Sequence, residues 1–380
     1  MRIACIAAAK VPSRTANSIE VMKVCHALRE LGHVVRLWAP GRGVGPAWAS
    51  LQEHYGLRQS FDVRWIPGAS FLRRYDFSVL ALAHARRWQA DLYYVWPLQA
   101  AALAAQLGLP TVLEVHDRPT GRMGPALLRA FLRGRGARRM VVTTQALRAW
   151  LAAEYGAPFE APFVIHGPNG VELERYRDLP KPDEARRMLG LPDRFTAGYT
   201  GHLYAGRGAE LMAELARRNP QIQFLWAGGE PAAVEAWKSR LSAARIDNVT
   251  LLGFVPNERL PLVQAASDVL LMPYERRIAV SGGGDTSAFA SPMKAFEYLA
   301  AGRAILSSDL PVIREVLNAA NAVLLPAEDA AAWDVALKEV AADPAGRESL
   351  GAQARRDALQ YTWEQRARRT LEGLEVERGD

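Results

Sequence analysis

Short apolar runs alternate with helical patterns along the whole chain, and this alternation restricts the fold more than any other feature. Residues 2–8 read as a buried parallel strand, 9–18 as a small polar loop and 19–31 as a helix. Gly32-His33 ends that helix, and Val34–Trp38 is the next strand. This is a βαβ unit, which forms a parallel sheet and binds ligands at the loops beyond its strand C-termini. The sequence predicts further strands at Asp91–Trp96, Thr111–His116, Met140–Thr144, Phe163–His166, Phe195–Thr200, Asn248–Val255, Val269–Pro273 and Ala322–Leu325, with another beginning at Gln223. A helix is predicted from Phe71 to Trp88, and others at Leu260–Ala266 and from Pro311 to Asn318. A chain of 380 residues exceeds one compact core, so two α/β domains are expected. No short repeat argues for a solenoid.

Hydrophobic residues make up 49% and charged residues 23%, the balance of a soluble globular protein. Cys5 and Cys25 fall in a predicted strand and helix with no metal or disulfide spacing, which points to a reducing compartment. The apolar start is too short for a signal peptide, and no apolar stretch is long enough to span a bilayer. A cytoplasmic location is expected, with the inner face of the membrane as a compatible site. The net charge of +7 suits an anionic ligand or membrane surface and is too diffuse to demand nucleic acid. No nucleic-acid partner is therefore expected.

One stretch, Ser291 to Pro311, carries the chemistry. It reads as a helix with both ends marked, then a short buried strand and a turn. Ser291 is placed to cap the helix, Pro292 to occupy its first position and Gly302 to close it in the left-handed conformation. Lys294 beside the free amides of Met293 and its neighbours makes an anion site, because the helix dipole favours negative charge there. Upstream, Ser281-Gly-Gly-Gly-Asp285 is able to bring backbone amides close to a ligand. A glycine loop, a lysine in the first turn and Glu297 one turn on suggest a phosphate and a ribose. A Lys294–Glu297 surface pair beside a loop is the other reading of the same residues. Downstream of the strand at Phe195–Thr200, Gly201-His-Leu-Tyr-Ala-Gly-Arg-Gly208 forms a second phosphate-binding geometry, in which Arg207 offers a forked clamp to a diphosphate.

These motifs resemble those of the retaining, nucleotide-sugar-dependent glycosyltransferases of family four, over nearly the whole chain. The resemblance implies the GT-B fold: α/β, with two Rossmann-like doubly wound domains facing each other across a cleft. It implies an N-terminal acceptor-side domain at 1–178, joined by a charged, proline-rich hinge, and a nucleotide-sugar-binding domain at 190–362. The closing helix at 363–380 would pack back on the first domain. Pro168-Asn-Gly-Val-Glu172 is similar to the family's Asn-Gly-Val-Asp turn. On the family pattern Arg207 takes a lysine position and His202, beside Gly201, an arginine position; neutral His202 offers less charge there, and Arg207 meets the leaving diphosphate with Lys294. His116, at a strand end, would contact the donor sugar, and Asn17 would lie in the loop near a donor phosphate. Gly228 would line the nucleotide pocket, the backbone at Phe254 and Val255 would hold the base, and Glu297 would accept from ribose hydroxyls. The first glutamate of the family's Glu-x7-Glu motif is replaced by Phe289, with Asp285 as the substitute considered. No carboxylate pair of glycosidase type and no DxD metal motif stands out, so metal-independent transfer is expected, with the nucleotide sugar as co-substrate and no cofactor.

The resemblance leaves the acceptor open among saccharide, lipid-linked and small-molecule hydroxyls. Residues 126–140 combine apolar residues with five arginines, as in a basic amphipathic helix suited to peripheral contact with an anionic membrane. A domain helix with a solvated basic edge is the favoured reading of that segment. A nucleotide-sugar 2-epimerase on the same architecture and a sugar-nucleotide binder with weak catalysis are the alternatives.

Overall fold

In the computed structural model the described residues are 1–68, 72, 74–156, 159–278, 285 and 287–374. The chain divides into two compact units, Met1–Asn169 with Trp363–Asp380, and Gly170–Thr362. The first unit therefore ends before the expected residue 178, and the segment after Asn169 belongs to the second.

Among the described residues the first unit holds a parallel sheet of β1 (Arg2–Ile6), β2 (Val34–Pro40), β3 (Asp62–Ile66), β4 (Leu92–Val95), β5 (Thr111–Val115), β6 (Ala137–Val142) and β7 (Val164–His166). Their spatial order is β3-β2-β1-β4-β5-β6-β7. The strands read as nearly continuous apolar runs because helices cover both faces of such sheets. In β4 and β5 every residue is buried.

The second unit repeats the plan with β8 (Thr196–Thr200), β9 (Gln223–Ala227), β10 (Val249–Gly253), β11 (Val269–Met272), β12 (Ala304–Ser308) and β13 (Val323–Leu325), in the order β10-β9-β8-β11-β12-β13. Tyr199, Phe224, Trp226, Leu271, Leu306 and Trp333 meet in one buried cluster. Fully burying each such side chain contributes roughly 1.5–3 kcal/mol. Both sheets reverse their strand order once, between β1 and β4 and between β8 and β11, and ligands bind at such points.

Several expectations need correction. The first helix begins at Ala16, so Asn17 lies in its first turn and not in a loop. The basic helix stops at Leu132, where Gly134 turns the chain by donating its amide to Phe131, and Arg138 and Arg139 belong to β6. The segment Pro311–Val316 forms turns rather than a helix. The helix expected from Phe71 begins at Tyr75; Phe71 and Arg73 lie outside the described residues. β3 and the helix Trp48–Tyr55 were not anticipated. Neither were the helices Ala330–Ala342 and Pro344–Ala358. No helix among the described residues is long and apolar enough to cross a membrane.

Candidate active site

The helix Met293–Ala301 presents seven buried residues, Lys294 among them. Its cap position is Pro292, whose extended backbone (ψ 120°) starts the helix one residue later than expected and leaves Ser291 outside it. Gly302 closes the helix at φ 63°, in the left-handed conformation predicted for it.

Lys294 points to the end of β8. A side-chain carbon on Gly201, at φ 146°, would lie 2.6 Å from its Nζ, so the ammonium as placed occupies the space that a side chain there would take. The ammonium stands over the Tyr199 ring at 3.8 Å and the Tyr274 ring at 5.0 Å. Among the described residues it has no hydrogen-bond partner. Lys294 is thus not the exposed member of a surface pair. Burial and then the Arg207 charge push it well below the usual lysine range, against the weaker pull of Glu297.

Arg207 sits in the loop after β8, which packs on the segment after β11. Gly208, at φ 78°, touches the Pro273 carbonyl so closely that any side chain would collide. The guanidinium donates to the Tyr274 hydroxyl at 2.6 Å and lies 4.8 Å from that ring's centre. Arg207 Nε, like Lys294 Nζ, is buried without a partner among the described residues. The topological switch of the second sheet therefore holds two neighbouring cations on two tyrosines. Such a pair has the charge and donor geometry that suit a multiply charged anion.

The remaining expected residues of this unit surround that pair. Glu297 accepts from Gln264 Nε2 at 3.3 Å, and the same amide donates to Thr200 at 3.2 Å. His202 stacks on Tyr204 with ring centres 4.6 Å apart and planes 6° from parallel, and its carbonyl accepts from the Tyr199 hydroxyl at 2.6 Å. Gly228 closely approaches the Gly201 carbonyl, at φ 119°. Phe254 and Val255 are half-buried just past β10. Asp285 is exposed, and one of its oxygens accepts the amides of Ser287 at 2.9 Å and Ile278 at 3.1 Å. Its carboxylate is thus engaged in a local turn. The glycines Gly282–Gly284 lie outside the described residues. Phe289 is buried.

In the first unit, His116 follows β5. Its Nε2 lies 2.6 Å from Glu114 Oε1 and 3.3 Å from Glu20 Oε1. Arg366, from the helix Trp363–Leu371, is 2.6 Å from the same Glu114 oxygen, and the Tyr94 hydroxyl donates to the other. Glu20, Glu114 and His116 have the close spacing of a cation site, with ligand-type atoms within 4.8 Å of one another. The Arg366 guanidinium already supplies positive charge there, which disfavours a metal ion at this spot. Asn17 is exposed in the first turn of the helix that carries Glu20.

Sequence reasoning missed Tyr199, Tyr274, Gln264, Glu20, Glu114 and Arg366. Glu114 carried a usable signal: a carboxylate inside a wholly buried strand requires a charged or hydrogen-bonding partner.

Residues 206–372 match the family described as glycosyl transferase-like, and residues 21–175 match Glycosyltransferase Family 4. The 2-deoxystreptamine glucosyltransferase of Streptomyces kanamyceticus is 30% identical over 215 residues, covering 50% of this chain and 54% of that protein. The chain thus spans about half the length of that curated relative. Sucrose-phosphate synthase from Thermosynechococcus elongatus superimposes with a TM-score of 0.74 at 19% identity, covering 96% of each chain. The Anabaena protein HepE, solved in complex with UDP, gives a TM-score of 0.74 at 17% identity, covering 98% of this chain and 99% of its own. These likenesses show the fold, which is GT-B.

Proposed function

We infer that this chain, which belongs to the family-four glycosyltransferases, moves a sugar from a nucleoside diphosphate sugar to a hydroxyl acceptor with retention of configuration. The observation that carries this reading is the buried pair of Lys294 and Arg207, two cations with no carboxylate bonded to either among the described residues. A leaving diphosphate is the anion that such a pair complements. As the bond from sugar to diphosphate breaks, negative charge grows on the departing phosphate. Preorganised donors that meet such charge are commonly the largest catalytic contribution. Lys294, Arg207 and the free amides at the start of Met293–Ala301 supply them, so the reaction is proposed to need no metal. Glu297, oriented by Gln264, is the proposed acceptor for ribose hydroxyls, and the backbone at Phe254 and Val255 is the proposed base site.

UDP is the first nucleotide to test, since HepE was solved with UDP and with UDP-glucose. 2-Deoxystreptamine is the first acceptor, from the name of the Streptomyces relative. The deciding experiment is a thermal-shift screen of the wild type and Lys294→Ala against UDP, GDP and ADP. A nucleotide-selective rise lost in the variant supports the reading. No shift with any nucleotide overturns it.

A further inference from the structure

The cluster around His116 has a property that the transfer reaction does not assign. Glu20, Glu114 and Arg366 are each about 2% exposed, and Tyr94 is equally buried. Both oxygens of Glu114 are engaged, one by Arg366 and His116, the other by Tyr94. Glu20 Oε1 lies 3.3 Å from His116 Nε2 and 3.9 Å from Arg366. Every polar contact of the ring is therefore made through Nε2. Nδ1 has none among the described residues, and the side chain is 34% exposed.

The charge of the ring decides what Nδ1 does. A neutral imidazole that donates from Nε2 leaves a lone pair on Nδ1, which makes it a base. An imidazolium carries a proton on both nitrogens, and Nδ1–H is then a donor. The groups facing the ring are two carboxylates from two elements, Glu20 on the first helix and Glu114 on β5. Arg366 stands behind Glu114, while the Tyr94 hydroxyl and the buried Cys25 thiol nearby are neutral.

We propose that His116 is a standing imidazolium, so that this strand end offers a charged N–H donor to a hydroxyl or phosphate oxygen of a bound ligand. It does not offer a base. Glu20, Glu114 and Arg366 are its positioning residues. Only the identity of the ligand rests on the transferase reading; the charge of the ring does not.

The electrostatics agree with the geometry. Burial alone would lower the histidine, but Glu20 and Glu114 together push it up to about 10. Burial opposes ionisation of Glu114, yet Arg366 and the other donors hold it well below the usual carboxylate range. Burial, followed by the Glu114 charge, raises Glu20 to about 7. When Glu20 takes a proton near neutrality, Glu114 still faces the ring.

The test is ring-nitrogen NMR of the full-length protein labelled with ¹⁵N-histidine, with the His116 signals assigned by their loss in His116→Gln. Both wild-type nitrogens are expected to stay protonated through pH 8.5. In Glu114→Gln or Glu20→Gln the ring should lose its proton at lower pH. A wild-type ring that turns neutral between pH 6 and 7 overturns the proposal. Diethyl pyrocarbonate, which acylates only neutral imidazole, gives a second measurement that needs no turnover. Mass spectrometry should find His116 modified at pH 7 about a hundredfold or more slowly than an ordinary histidine. Modification at the ordinary rate counts against the proposal. Neither measurement uses a nucleotide, so failure of the transferase reading would show separately in the nucleotide screen.

Discussion

Lys294 Nζ stands 3.8 Å from the centre of the Tyr199 ring, and no oxygen among the described residues accepts from it. A desolvated ammonium gains about 2 kcal/mol from an aromatic face, less than the several kcal/mol that leaving water costs an ion. The protein therefore buries an amine whose charged form is poorly compensated, a cost that an anionic ligand would relieve.

Replacing Lys294 with methionine should make the unliganded protein more stable while abolishing any stabilisation by UDP. Melting temperatures with and without UDP test both halves. A variant less stable than the wild type without ligand would mean that the ammonium is a structural element. Transfer should fall a hundredfold or more, the usual cost of losing one contact to developing charge.

Nucleotide affinity should depend on pH in a definite direction. Lys294 is depressed in the free protein, whereas a diphosphate needs it charged. Affinity should therefore fall as pH rises through that depressed value, with proton uptake on binding above it. Calorimetry in two buffers of different ionisation heat measures the uptake. Zero uptake at every pH below the usual lysine range would show that Lys294 stays charged in the free protein.

Tyr274→Phe removes the hydroxyl that accepts from Arg207 at 2.6 Å while keeping the ring. Losing a hydrogen bond to a charged group costs about 1.5–3 kcal/mol, so kcat/KM should drop ten- to a hundredfold. Arg207→Ala should cost more, and the double variant little beyond Arg207→Ala. Additive losses would separate the tyrosine from the arginine.

Activity should survive exhaustive EDTA treatment, because side-chain cations are proposed to meet the diphosphate charge. Inactivation reversed by magnesium would contradict this.

Acid stability should be limited by His166 in β7, which burial pushes down to about 4. The unfolded chain takes up this proton near pH 6.5 and the folded chain only near 4. Stability from this group is therefore full above pH 6.5 and declines by a few kcal/mol as pH falls to 4. Urea unfolding at pH 7 and 4.5 should show a smaller decline for His166→Gln than for the wild type.

Much of the fold was legible because parallel strands need both faces covered and so read as apolar runs. Val269–Met272 and Thr111–Val115 are examples. Asp62–Ile66 was hidden because its residues alternate in charge and size and only Ile66 is buried, as befits an edge strand. The Lys294 helix was legible from Pro292 and Gly302, which mark helix ends by backbone geometry alone. The tyrosine cradle was not. Tyr199, Tyr274 and Lys294 come from three separate stretches, and only the sheet order that sets β8 beside β11 brings them together. The His116 cluster was hidden for the same reason, since Arg366 and Glu114 stand 252 residues apart.

That separation bears on the order of synthesis. The first unit is interrupted by the whole of the second, and Arg366 comes near the end of the chain. While the ribosome is still building residues 170–362, Glu114 faces His116 but lacks Arg366, the second cation on the same oxygen. Removing one partner of a buried charge is destabilising. The first unit is therefore completed only after the second, when the helix Trp363–Leu371 has been made.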